Sequence, residues 1–143
     1  NTPHPALKVF DAPDGLAACT RRIRSNTPLQ ALTLMNDPAF IELAMGLAKR
    51  LLTEADTPEE RIRLGFQLCL NRDPDADELR LLHGMVQQQT KDFAVQANSA
   101  KAVVLRAAAL GQGTKPVGGD AAFSAWTMAA RVLLNLDETI TRE

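Results

Sequence analysis

Three points in the sequence place a helix-capping residue directly before a proline: Thr27-Pro28, Asp37-Pro38 and Thr57-Pro58. A threonine or aspartate side chain accepts a hydrogen bond from the first free N–H groups of a helix. Proline fits the first helical position, because its missing N–H is not needed there. Thr57 and Glu60 also have the spacing of a capping box, and Asp75 and Glu78 repeat that spacing. These signals predict four helix starts and constrain most of the chain to a helical fold.

Apolar residues recur at helical spacing after these starts. The predicted second helix, Pro38 to Thr53, has a stripe of Phe40, Leu43, Ala44, Leu47 and Leu51. The next two helices have inner faces made of Ile62, Phe66, Cys69 and Leu70, and of Leu79, Leu82, Val86 and Phe93. We predict that Asp120 caps a last helix, whose inner face is made of Phe123, Trp126, Ala130 and Leu133.

Composition supports the same fold class. Hydrophobic residues make up 45% of the 143 residues, which is enough for a core, but aromatic residues make up 4% and tyrosine is absent. Strands draw on aromatic and β-branched residues, and no segment alternates in the manner of a half-buried strand. We therefore predict an all-α protein, a compact bundle of five or six helices. It is formed by residues 26–143, behind an irregular N-terminal arm of residues 1–25. The number of helices depends on whether the long helical segment after Asp75 breaks near residues 97–99.

Charge and composition exclude several classes of protein. The formal net charge of −1 argues against a surface that binds nucleic acid through phosphate contacts. No apolar run approaches the roughly 18 residues that a membrane-spanning helix needs. With two histidines and two cysteines, the chain lacks the ligands of most metal sites, so we expect no cofactor in it. His4 lies among prolines and His83 borders an apolar helix face, so neither completes a nucleophile–base pair.

Two charged groups in the arm are not explained by helix capping. Arg21, Arg22 and Arg24 could together bind a carboxylate, phosphate or sulfate in bidentate fashion. The alternative is that these arginines pair within the chain, with Asp11, Asp14 or the acidic residues at the C-terminal end. The two aspartates are themselves candidates for acid–base chemistry, which requires that their environments push their pKa values apart.

Four blocks of the sequence resemble one family. They are residues 10–14 (FDAPD), 22–38 (RIRSNTPLQALTLMNDP), 71–74 (NRDP) and 130–138 (ARVLLNLDE). Together, and in this order, they are similar to the C-terminal part of a planctomycete domain of unknown function, the PSD-one type domain. The motif positions that this resemblance implies are Asp11, Asp14, Arg22, Asn26, Thr27, Gln30, Asn36, Asp37, Asn135 and Glu138. We predict that Gln30 belongs to the binding residues with Arg21, Arg22 and Arg24, while Asp11 and Asp14 stay the catalytic candidates. The structural motif residues are then Asn26, Thr27, Asn36, Asp37, Asn135 and Glu138.

The resemblance also implies a biological setting. Domains of this family stand at the end of exported multidomain proteins, often after a cytochrome c domain. An exported or periplasmic location, and haem bound elsewhere in the parent protein, are therefore expectations. Oxidation of Cys19 and Cys69 would be possible there, although two separate thiols are the simpler expectation. The motif positions lead us to expect a buried polar network that joins the first short helix to the last helix.

Three functions remain open. The first is a non-catalytic interaction or structural module, whose partners are the upstream domains of its parent protein or another protein. The second is the C-terminal portion of an enzyme acting on an anionic polymer, with a cleft lined by Asp11, Asp14, Arg21 and Arg22. The third, a small-ligand or metal site, would use His4 with the two aspartates.

Overall fold

The computed structural model describes residues 9–12, 27–109 and 118–140, and these residues form seven α-helices and no strand. The helices are α1 (Pro28–Asn36), α2 (Pro38–Glu54), α3 (Pro58–Leu70), α4 (Ala76–Val95), α5 (Ala97–Ala109), α6 (Asp120–Leu134) and α7 (Asp137–Ile140). The predicted all-α class is confirmed. The described part has one helix more than the largest predicted number, because the four-residue α7 follows α6. The division into an arm and a helical domain stays a prediction.

The predicted capping residues begin four of the helices. Thr27, Asp37, Thr57 and Asp75 are the N-caps of α1, α2, α3 and α4. At α3 the Thr57 hydroxyl accepts from the Glu60 N–H at 3.2 Å, and the Glu60 carboxylate accepts from the Thr57 N–H at 3.0 Å. Each cap satisfies an N–H group that the helix cannot pair internally.

Helix α6 lies at the centre of the bundle and packs against α2, α3, α4 and α5. Its buried residues include the predicted Phe123, Trp126, Ala130 and Leu133. The polar residues buried with them are hydrogen-bonded: Thr127 donates to the Phe123 carbonyl at 2.8 Å, and Ser124 donates to the Ala100 carbonyl of α5 at 3.4 Å. A helix that is buried on most of its surface in this way has no large face left for another partner.

Two predictions about individual residues are wrong. Asp120 does not cap α6: the helix begins at Asp120, and its N-cap is Gly119, which makes no side-chain capping bond. The positive φ of Gly118 and Gly119, 77° and 88°, allows the chain to enter the helix one residue earlier than predicted. Leu43 is 57% exposed, because the buried face of α2 runs through Ala44, Ala48 and Leu51 and so turns Leu43 outward.

Two breaks in the chain follow the predicted signals. Asn71 ends α3 in the left-handed conformation, with φ 57°, and Pro74 prevents the helix from continuing. The long helical segment breaks at Gln96, one residue before the predicted stretch, and α5 restarts at Ala97. No helix in the described part of the chain combines the length and the apolar character needed to cross a membrane.

Candidate functional site

Helix α1 places its apolar side chains on the outside of the bundle. Leu29, Leu32 and Met35 are 59%, 56% and 45% exposed, and residues three apart lie on the same face of a helix. The residue that α1 buries is Gln30, at 2% exposure. A surface helix normally turns its apolar stripe toward the core and its polar face toward water. In α1 this arrangement is reversed, and we call the exposed surface of Leu29, Leu32 and Met35 the outer face of α1.

Gln30 is buried because its side chain ties the N-terminal segment to α1. Its Oε1 accepts from the Thr27 N–H at 3.0 Å, which makes Gln30 the N3 partner in a capping box. Its Nε2 donates to the Val9 carbonyl at 2.8 Å and lies 3.4 Å from Asp11 Oδ2. Beside this contact the rings of Phe10 and Phe40 lie 5.7 Å apart, centroid to centroid. Gln30 was predicted to bind a ligand, but its described bonds are to the protein itself.

A second contact joins α1 to α6. The Arg131 guanidinium donates from Nη2 to the carbonyl of Met35, near the C-terminal end of α1. Its Nη1 lies 3.5 Å from the Met128 Sδ, and its buried Nε has no hydrogen-bond partner among the described residues. Met35 and Arg131 belong to the two sequence blocks that were expected to meet. The bond that joins these blocks is made by a residue outside the predicted motif positions.

A third contact joins the α3–α4 turn to α7. Arg72 binds the carboxylate of Glu78 with two N–H groups, at 2.7 and 2.8 Å, and that of Glu138 with two others, at 2.8 and 3.0 Å. Its guanidinium also lies 5.1 Å from the centre of the Phe66 ring. The hydrogen bonds from Arg72 lower the pKa of Glu78 to about 2 and also lower the pKa of Glu138. Glu138 is thus a side chain that fixes α7 to the bundle.

The two predicted asparagines behave differently from expectation. Asn36 was expected to belong to a buried polar network, but it is exposed and donates from Nδ2 to the Leu32 carbonyl at 2.9 Å, in its own helix. Asn135 is the C-cap of α6, yet its buried Oδ1 has no hydrogen-bond partner in the described part of the chain. Asp37 caps as predicted, with Oδ1 accepting from the Ala39 N–H at 2.9 Å.

Several candidate residues lie outside the described residues: His4, Asp14, Cys19, Arg21, Arg22, Arg24 and Asn26. Of the four residues predicted to line an enzyme cleft, the structure therefore describes Asp11 alone. Asp11 has φ 53°, in the left-handed region that aspartate tolerates better than most residues, and it contacts Gln30. The anion-binding and catalytic roles of these side chains stay predictions. Cys69 is a free thiol, and burial raises its pKa.

Sequence reasoning missed the residues that make two of these contacts. Arg72 was placed in a turn motif without a partner, and Glu78 was explained as a capping residue. Arg131 was quoted in the last block without a role. The sequence did contain one usable signal: Thr27 and Gln30 have capping-box spacing, which would have explained Gln30 as a structural residue. The Arg72–Glu138 pair spans 66 positions, so no local pattern predicts it.

Comparison with known proteins gives one match. No curated protein and no solved structure matches the chain. A family model, PSD1: Protein of unknown function (DUF1553), matches residues 1–86. These residues contain three of the four sequence blocks. The block at 130–138 lies beyond the match, so its resemblance to the family, and the C-terminal position of the chain within a longer domain, stay predictions. Because the matched residues are more than half of the chain, the chain belongs to the PSD1 family of proteins of unknown function.

Proposed function

We propose that this chain is a non-catalytic helical interaction module, and that the outer face of α1 is its contact surface. The observation that carries the proposal is the reversed orientation of α1, which exposes Leu29, Leu32 and Met35 and buries Gln30. Single exposed leucines are ordinary on protein surfaces, whereas adjacent exposed apolar residues on one helix are typical of an interface.

Covering this face would contribute favourably to the binding of a partner. Burying a leucine or methionine side chain completely stabilises by about 1.5–3 kcal/mol. The three side chains are each about half exposed, so covering them contributes roughly 3 kcal/mol before the partner is ordered. No charged residue occurs in α1, so an apolar partner surface would not have to desolvate an ion there.

The partners in this proposal are the upstream domains of the parent protein. The resemblance to exported planctomycete proteins supports an exported or periplasmic location. It also supports haem in an upstream cytochrome c domain, with no cofactor held by this chain. The module would then hold such domains in a fixed arrangement, which needs a stable scaffold and a covered apolar face but no catalytic group.

Photo-cross-linking from position 32 tests the proposal. A benzophenone amino acid would replace Leu32 in the purified parent protein, and the cross-linked peptides would be identified by mass spectrometry. The matched control places the same group at Leu81 or Leu105, which are 67% and 70% exposed on other helices. We expect efficient cross-linking from position 32 and little from the control positions. Equal yields at all three positions would contradict the proposal.

A further inference from the structure

We infer that the partner of α1 is an amphipathic helix that carries a carboxylate beside its apolar stripe, and that this carboxylate pairs with Arg131. The inference rests on the proposed function and adds the chemistry of the partner. The helix would come from the polypeptide that precedes this module in the parent protein.

Arg131 is the residue that indicates a carboxylate. It is partly buried, and among the described residues no carboxylate lies within salt-bridge distance of it. Arg72, which is also partly buried, is bound by two carboxylates. A guanidinium taken partly out of water without a counter-charge is unfavourable, and it gains most from a carboxylate that approaches in the plane of the group.

The position of Arg131 connects this charge with the outer face of α1. Its Nη2 binds the carbonyl of Met35, and the Met35 side chain is one of the three residues of that face. This bond lies at the surface, so further N–H groups on the two Nη atoms are available at the same edge. A partner that covers Met35 is therefore brought next to the guanidinium.

The shape of the outer face favours a helix as the partner. Leu29, Leu32 and Met35 form a ridge along one nine-residue helix, and helices pack by fitting such ridges into the grooves of another helix. We assign this helix to the preceding polypeptide because the proposed function places the partner of α1 within the parent protein.

Hydrogen exchange of the α1 amides, in the parent protein and in the isolated chain, tests the inference. For each variant, the protection factor of residues 29–36 in the parent protein is divided by that in the isolated chain. An effect of the substitution on the stability of α1 itself then cancels in this ratio. We expect a ratio well above one in the wild type that falls several-fold when NaCl is raised to 0.5 M, because salt screens an ion pair at the surface. Arg131→Gln should lower the ratio about tenfold and remove its salt dependence. Arg131→Lys should retain most of the ratio and most of its salt dependence.

Two controls separate the possible failures. Arg63→Gln, an exposed arginine of α3, should behave like the wild type. Leu32→Ser should lower the ratio while leaving its salt dependence in place. A wild-type ratio in Arg131→Gln would overturn the carboxylate while leaving the proposed function standing, whereas a ratio near one in the wild type would overturn both. Cross-links from position 32 that map to a second copy, or to a different protein, would overturn the assignment to the preceding polypeptide.

Discussion

Helices α1 and α6 have similar amounts of apolar sequence but opposite relations to the core. α6 buries eight residues, among them Phe123, Trp126 and Leu133, and its buried hydroxyls are hydrogen-bonded. α1 buries Gln30 and exposes Leu29, Leu32 and Met35. The stability of α6 comes from apolar packing within the chain. That of α1 comes from capping, from the Gln30 bonds and from its contact with Arg131, and three of its apolar side chains stay exposed.

Truncating a core side chain of α6 should give the largest effect. Leu133 is 1% exposed and packs closely against Gly65. A Cβ atom added to Gly65 would stand 2.7 Å from the Cδ1 of Leu133. Leu133→Ala removes buried apolar surface and leaves a cavity at this close helix crossing. We expect a loss of about 2–5 kcal/mol in the free energy of unfolding of the isolated chain, measured by urea denaturation. A loss below about 1 kcal/mol would show that α6 does not carry the core.

Replacing the buried glutamine of α1 should give an intermediate effect. Gln30→Leu leaves the Thr27 N–H and the Val9 carbonyl without their partners. We expect a loss of about 1–3 kcal/mol, measured in the same way, because a desolvated polar group without a hydrogen bond is unfavourable. Gln67→Ala is a suitable control, since Gln67 is exposed and its bond to Asp73 lies at the surface. If Gln30→Leu were stabilising, the buried face of α1 would be an ordinary apolar contact.

Acid should weaken the ion pair between Arg72 and Glu78. Its pKa is lowered to about 2 in the folded chain, mainly by the hydrogen bonds from Arg72, and is about 4.3 in an unfolded chain. A carboxyl group with a lowered folded pKa stabilises fully above its unfolded pKa, and this stabilisation is lost as the pH falls toward the folded value. The free energy of unfolding should therefore fall between about pH 4.3 and pH 2, as denaturation at a series of pH values would measure.

Two variants check the source of this pH dependence. Glu78→Gln and Arg72→Gln should both flatten the decline, because each removes the pair that lowers the pKa. Arg80→Gln is the matched control, since Arg80 lies on the same helix as Glu78 but pairs with Asp77 at the surface. An unchanged decline in Arg72→Gln would mean that another group causes it.

Truncating the outer face of α1 should give the smallest effect in the isolated chain. Leu32 is 56% exposed, and alanine keeps the helix intact, so Leu32→Ala should change the free energy of unfolding by no more than about 0.5 kcal/mol. The difference between the losses in the free energy of unfolding for Leu32→Ala and Leu133→Ala would measure the contrast between α1 and α6. A loss above about 1 kcal/mol would indicate that the outer face is already covered in the isolated chain.

Local signals in the sequence predicted most of the secondary structure. Thr27, Asp37, Thr57 and Asp75 cap helices because a capping bond depends on residues within one turn. The errors arose where the signal depended on neighbours farther away. Leu43 fits the helical stripe of α2 as well as Leu47 does, and only the position of α6 decides which of them faces inward.

The candidate site shows the same division. Gln30 could have been assigned to the capping box from its spacing alone, but its bonds to Val9 and Asp11 require the N-terminal segment to fold back over α1. Glu138 was selected from its motif position, whereas its partner Arg72 comes from a turn 66 residues away. Arg131 has no local feature that distinguishes it from a solvated arginine, and its missing counter-charge is visible only in three dimensions.

The sequence by itself therefore determined that this protein is helical, where four of its helices begin, and four of the α6 residues that form the core. These properties follow from bonds within a turn and from the periodicity of apolar residues. Only the tertiary structure decided that α1 turns its apolar face outward, because the helical period defines a face but not its direction. That direction depends on the packing of α2 and α6 and on the bonds from Gln30 to Val9 and Asp11, which join parts of the chain that are distant in sequence.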